Sequence, residues 1–181
     1  MRDFLLEVGF EELPARFVDS AAKQLADGVT SRLAALHLSH GSVTVYSTPR
    51  RLALHIEALT DEQPDRVAEI KGPPKKIAYD ENGELTKAGA GFARSQGVST
   101  EDIFVQSVQG VEYLFVKKHY NGQATIGLLP EVIAESILGL NFPKNMRWGD
   151  YDLRFARPLR WIVALFGDEV VSCTVGPVSS G

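Results

Sequence analysis

Cysteine is almost missing from this chain: one residue, Cys173, in 181. A single thiol excludes an intramolecular disulfide and fits a reducing, cytoplasmic setting. Long apolar runs are missing as well. Nothing approaches the roughly 18 residues of a membrane span. The apolar opening is short and carries Asp3 and Glu7, too short and too charged to read as a signal peptide, so no membrane partner is expected. There is no excess of positive charge either. A net charge of −4 argues against DNA and against nucleic-acid binding over the whole surface, since such domains are usually basic. Phosphate loops, CxxC pairs, HExxH and GxSxG are all absent, so no catalytic residue and no metal site is assigned.

What is present reads as α+β, with antiparallel hairpins packed on two long amphipathic helices and one short helix. Asp3–Gly9 is a buried strand. Pro14 falls in the first turn of a helix to Leu36, whose stripe is Phe17, Ala21, Leu25, Val29 and Leu33. Val43–Tyr46 and Leu52–Leu59 form a hairpin around Thr48-Pro49. Val67–Lys71 adds an edge, and Gly72-Pro73-Pro74 breaks it. Thr86 caps a short helix ending at Gly97. Ile103–Ser107 and Glu112–His119 make a second hairpin about Gln109-Gly110. A second long helix runs from Thr125 to Leu140 with Ile126, Leu129, Ile133 and Ile137 inward, Asn141–Trp148 is irregular, and Leu159–Phe166 pairs with Glu169–Val175. The expected organisation is one domain over 1–181, with 72–97 as a mobile insertion and a truncated carboxyl end.

The chemistry-bearing residues are few. Glu11-Glu12 offers paired carboxylates, or compensation of a helix dipole. Arg50-Arg51 opens a strand, so the two guanidiniums face opposite ways; one meets solvent or phosphate, and the other meets an internal carboxylate such as Glu11 or Glu12. Glu11, Glu12 and Arg51 are therefore the ion-pair candidates. Lys144, Arg147 and Trp148 combine cations with an aromatic, which can hold phosphate and stack a base, or seal the core in the case of Trp148. With Arg50 and Arg51 they are the RNA-binding candidates. Among the four histidines, His37 and His40 are spaced for a metal but no acid or cysteine completes a site. Cys173 lies in an apolar strand pattern and reads as a buried, inert thiol.

Five segments in order carry a resemblance: LLEVGFEELP (Leu5–Pro14), TPRRLA (Thr48–Ala53), the Gly72–Gly97 stretch, PKNMRWG (Pro143–Gly149) and FARPLRWIVALFGD (Phe155–Asp168). Together they resemble the β subunit of the bacterial two-subunit glycyl-tRNA synthetase. Phe10 departs from the family's opening, where a small polar residue such as threonine is usual. The resemblance implies an amino-terminal piece of a longer subunit. It implies glycine activation with ATP and Mg²⁺ on a separate α subunit, no cofactor in this piece, an α2β2 heterotetramer, and glycine tRNA as partner. Two other roles follow from the same resemblance: a scaffold that docks the α subunit without touching tRNA, and an editing-like hydrolytic domain. The lack of a nucleophile and of metal ligands speaks against the second.

Overall fold

The computed structural model describes residues 1–148 and 151–181; for Met146, Trp148 and 151–154 it describes the backbone alone. In chain order the first elements are β1 (Arg2–Phe10), α1 (Ala15–Ala35), β2 (Val43–Thr48), β3 (Arg51–Leu59) and β4 (Arg66–Pro74). Then come α2 (Lys75–Ala78), α3 (Lys87–Gln96), β5 (Ile103–Val108), β6 (Val111–Tyr120) and α4 (Thr125–Leu138). The last are β7 (Met146–Trp148), β8 (Tyr151–Phe155), β9 (Leu159–Phe166), β10 (Glu169–Val170), β11 (Thr174–Val175) and β12 (Val178–Ser179). The class is α+β. The chain divides into two compact units, Met1–Pro64 with Gln123–Gly181, and Asp65–Gly122.

The first unit is built on a five-stranded antiparallel sheet in the order β10-β9-β1-β3-β2. Period-two alternation sends Phe4, Leu6, Val8 and Phe10 of β1 to one face, with Leu52, Leu54 and Ile56 of β3 and Ile162, Ala164 and Phe166 of β9. Helices α1 and α4 join these residues in one core, and Phe17, Leu25, Val29, Ile133 and Ile137 are buried there as expected from their spacing. The helices approach closely where Gly28 faces Ser136, and Arg32 Nε pairs with Glu135 at 2.9 Å on the rim. The neck of the chain excursion belongs to this unit: Gln63 N–H donates to Gln123 C=O, and the buried Thr125 hydroxyl donates to Thr60 C=O at 2.6 Å.

The second unit is a three-stranded antiparallel sheet, β4-β6-β5, with two short helices. Gly72 shows which face the longer helix covers, because a Cβ there would sit 2.6 Å from the Phe92 ring of α3. Gly72 shares that side with Ile70, Leu114 and Val116. Thr86 caps α3 by accepting from Gly89 N–H, and Gly97 ends it at φ 70°, both as anticipated. Gln109 and Gly110, with φ of 53° and 81°, turn β5 into β6.

Several expectations need correcting. Pro14 is the residue before α1, not a member of its first turn. Gly72-Pro73-Pro74 does not end β4, which continues to Pro74 through a register shift between Lys71 and Pro74; edge strands tolerate proline at such irregularities. The stretch 72–97 holds α2 and α3 and belongs to the larger unit 65–122. Asn141–Trp148 is not wholly irregular, since Met146–Trp148 pairs with Tyr151–Phe155. Glu169–Val175 pairs with β9 only through Glu169 and Val170. The chain then turns at Gly176 (φ 58°), and Thr174–Val175 pairs with Val178–Ser179.

Candidate functional site

Three of the five segments singled out in the sequence, 5–14, 48–53 and 155–168, converge at one corner of the first unit, where β1 hands over to α1. The corner backbone is strapped on both sides. Phe10 N–H donates to Arg50 C=O (3.0 Å) and Leu13 N–H to Pro49 C=O (2.7 Å), while Glu11 N–H donates to Pro158 C=O (2.9 Å). Beneath lies an aromatic stack. Phe10 is parallel to Phe155 with centroids 5.3 Å apart, Phe142 meets Phe155 edge-on at 5.0 Å, and Phe17 meets Phe142 at 6.2 Å. A small polar residue at position 10 could not complete that stack, so Phe10 is a packing residue here.

Above the stack is an open cleft of about 450 Å³ lined by Phe10, Glu11, Glu12, Arg50, Arg160 and Trp161. Each arginine at the corner faces a carboxylate: Arg50 with Glu12 at 3.4 Å, Arg160 with Glu11 at 3.7 Å, and Arg51 with Glu7 at 3.2 Å. Glu7 Oε1 also accepts the Trp161 Nε1–H at 3.0 Å. The indole lies flat over Gly9, where a Cβ would come within 2.0 Å of Cε2. Only glycine permits that approach. Register explains the cluster: Gly9 sits between Arg51 on β3 and Trp161 on β9, and Glu7 is two residues away on the same face.

The sequence candidates are thus redistributed. Glu11 and Glu12 precede α1, whose first turn holds no acid, so helix-dipole compensation is not their role. They pair across the corner instead. Arg51 takes Glu7 rather than Glu11 or Glu12. Arg50 is in the turn before β3 and is 73% exposed even while paired. Lys144 is exposed ahead of β7, and Arg147 is exposed within it. The Trp148 side chain, a base-stacking candidate, lies outside the described residues. Glu7 and Trp161 were missed, because only the cross-strand register brings them to the corner.

Elsewhere the Cys173 thiol is pushed up by burial, against a weaker pull from the Ser180 hydroxyl, which keeps it in the unreactive protonated form. Among the described residues no three His, Cys, Asp or Glu side chains converge as a metal site. No helix of the described residues is long and apolar enough to cross a membrane.

Known proteins place this geometry in a family context. The family model described as glycyl-tRNA synthetase beta subunit matches residues 4–181. A glycine--tRNA ligase beta subunit of Halalkalibacterium halodurans is 53% identical over 180 residues, covering 99% of this chain and 26% of that protein. The Bacillus subtilis protein of the same name is 48% identical over the same spans. That of Desulforamulus reducens is 50% identical over 170 residues, 94% of this chain and 24% of its own. The chain therefore spans about a quarter of the length of the curated relatives it matches.

Proposed function

The chain belongs to the glycyl-tRNA synthetase beta subunit family, and from that premise we propose that it helps a glycine--tRNA ligase assemble with its catalytic α subunit and hold tRNA. The reaction served is the ATP-dependent attachment of glycine to its tRNA, in an α2β2 complex in the cytoplasm. ATP and Mg²⁺ belong to the α subunit in this reading. The residues here do not fit Mg·ATP: each corner arginine is opposed by a carboxylate, and no phosphate loop is present.

One observation supports a docking role for the corner. Three arginines and three carboxylates surround an indole seated on Gly9, leaving the cleft without net charge. A neutral, Arg- and Trp-bearing surface suits a protein partner better than phosphate, because such residues anchor protein interfaces. The tRNA contact then falls to other cations of this unit, with Lys144 exposed ahead of β7 and Arg147 exposed within it. Separate copurification with the α subunit and with glycine tRNA tests both parts. Arg50→Ala and Arg160→Ala, at largely exposed positions, should weaken α-subunit capture and leave tRNA affinity unchanged. Loss of tRNA affinity with intact α-subunit capture would reverse the assignment of the corner.

A further inference from the structure

The second unit has a sheet face that its longer helix leaves open. The ladder puts Tyr113, Phe115, Lys117 and His119 of β6 on this face, with Lys71, Glu69 and Val67 of β4 and Phe104 and Gln106 of β5. It is the face opposite Gly72 and Phe92. Lys71, Lys117, His119, Glu69 and Gln106 are exposed, and Val67 is 55% exposed. Phe104 and Phe115 stack with centroids 5.9 Å apart. Two cations lie over the rings: Lys71 Nζ is 3.4 Å from the Tyr113 centroid, and Lys117 Nζ is 5.5 Å from that of Phe104. Phe104, Lys117, Lys118 and His119 border an open cavity of about 770 Å³, flanked by Gln96 at the end of α3 and Ser99 of the α3–β5 connection.

On this face Lys71, Lys117 and His119 stand with one carboxylate, Glu69, directly across from Lys117. Glu112 lies on the other face and is held by Lys75 at 2.9 Å. The other acids sit mainly outside the sheet: Asp80, Glu81 and Glu84 in the turn after α2, and Glu101 and Asp102 before β5. Asp102, which borders the cavity, is occupied in accepting Ser99 N–H at 3.1 Å. Partly exposed rings interleaved with lysines on one sheet face are the composition that stacks unpaired bases while cations track the backbone.

We propose that this face binds single-stranded RNA, with a base stacked on Phe104 and phosphates met by Lys117 and Lys71, an inference that rests on the tRNA-binding part of the reading above. The lysines now over the rings would swing outward to the backbone as bases replace them. Every base has a stacking face, so sequence preference is weak and salt dependence strong.

The test uses the whole chain, a fluorescein-labelled octariboadenylate, glycine tRNA and inorganic polyphosphate, with anisotropy read across a salt series. Phe104→Leu keeps an apolar side chain in place and should weaken octanucleotide binding about 5- to 150-fold. Phe104→Trp should bind and show indole fluorescence quenched by the oligonucleotide. Lys117→Gln should reduce the log–log salt slope by about 0.7, and Lys23→Ala, at an exposed position of α1, should leave octanucleotide affinity unchanged. Circular dichroism confirms that each variant is folded. Two results overturn stacking on this face. One is equal affinity of wild type and Phe104→Leu for the octanucleotide. The other is full displacement of the octanucleotide by polyphosphate without recovery of indole fluorescence in the Phe104→Trp variant. Binding of tRNA without binding of the octanucleotide overturns this inference and leaves the tRNA reading standing. Binding of neither removes both.

Discussion

Gly9→Ala is the sharpest perturbation of the corner. The new Cβ would stand 2.0, 2.1 and 2.3 Å from Cε2, Cδ2 and Cζ2 of Trp161. Carbon atoms rest at about 3.5–4.0 Å, so the indole must retreat by roughly 1.5 Å. Its 3.0 Å bond to Glu7 would then exceed hydrogen-bonding length. Overpacking costs about 1–3 kcal/mol, and the lost bond to a charged acceptor about 1.5–3 kcal/mol before discounting for partial exposure. Alanine recovers about 0.5–1 kcal/mol in a strand. The expected net loss is about 2–4 kcal/mol. In a Trp161→Ala background the same substitution should cost nothing, or stabilise by up to about 1 kcal/mol, giving a coupling of about 2–5 kcal/mol. Urea unfolding followed by Trp148 fluorescence reads the first unit in every background, since both tryptophans lie there. An equal cost of Gly9→Ala with and without the indole would refute the stacked geometry.

Three further outcomes are expected. Leu25→Ala and Ile137→Ala should each cost about 2–5 kcal/mol, and an unchanged melting temperature for both would mean the core is misplaced. Ser136→Ala should be neutral or stabilising, because the Ser136 hydroxyl is buried between α1 and α4 without a hydrogen-bond partner; a clear loss of stability would reveal an unrecognised acceptor. The Asp3 carboxyl is held below its usual range by the Ala58 N–H (3.0 Å), assisted by His55. A depressed value means that its contribution is complete above the unfolded value of about 3.9 and is lost as pH falls through the folded one. The melting-temperature gap between wild type and Asp3→Asn should therefore close as pH drops below that value, and a constant gap would contradict it.

Local signals were legible wherever one element explained itself. The four-residue stripe of α1, the Thr86 and Gly97 caps of α3 and the Gln109-Gly110 turn all follow from spacing and turn chemistry, and the structure keeps them. The errors arose where a neighbour decides. Two prolines end a strand in isolation, yet β4, at the edge of its sheet, accommodates them at a register shift between Lys71 and Pro74. The alternation Tyr151, Leu153, Phe155 was a readable strand signal, but β7 is three residues long and carries none of its own. Acids ahead of a helix suggest the dipole, whereas Glu11 and Glu12 had arginines waiting on the β2–β3 turn and on β9.

The corner itself shows why composition alone was silent about it. Glu7, Arg51 and Trp161 are far apart in the chain, and none is unusual where it stands. They meet because β1 runs antiparallel to both β3 and β9, and the pairing of Gly9 with Arg51 and Trp161 sets which side chains share the face. A slip of one residue on either side would turn the indole into the core and send an aliphatic neighbour to the surface. The core alternation of Leu52, Leu54 and Ile56 forbids that slip on β3, and Ile162, Ala164 and Phe166 forbid it on β9. Burial on the helix-covered face therefore holds in register the charged and aromatic residues on the other. This is how apolar spacing, readable from the sequence, comes to position a site that is not.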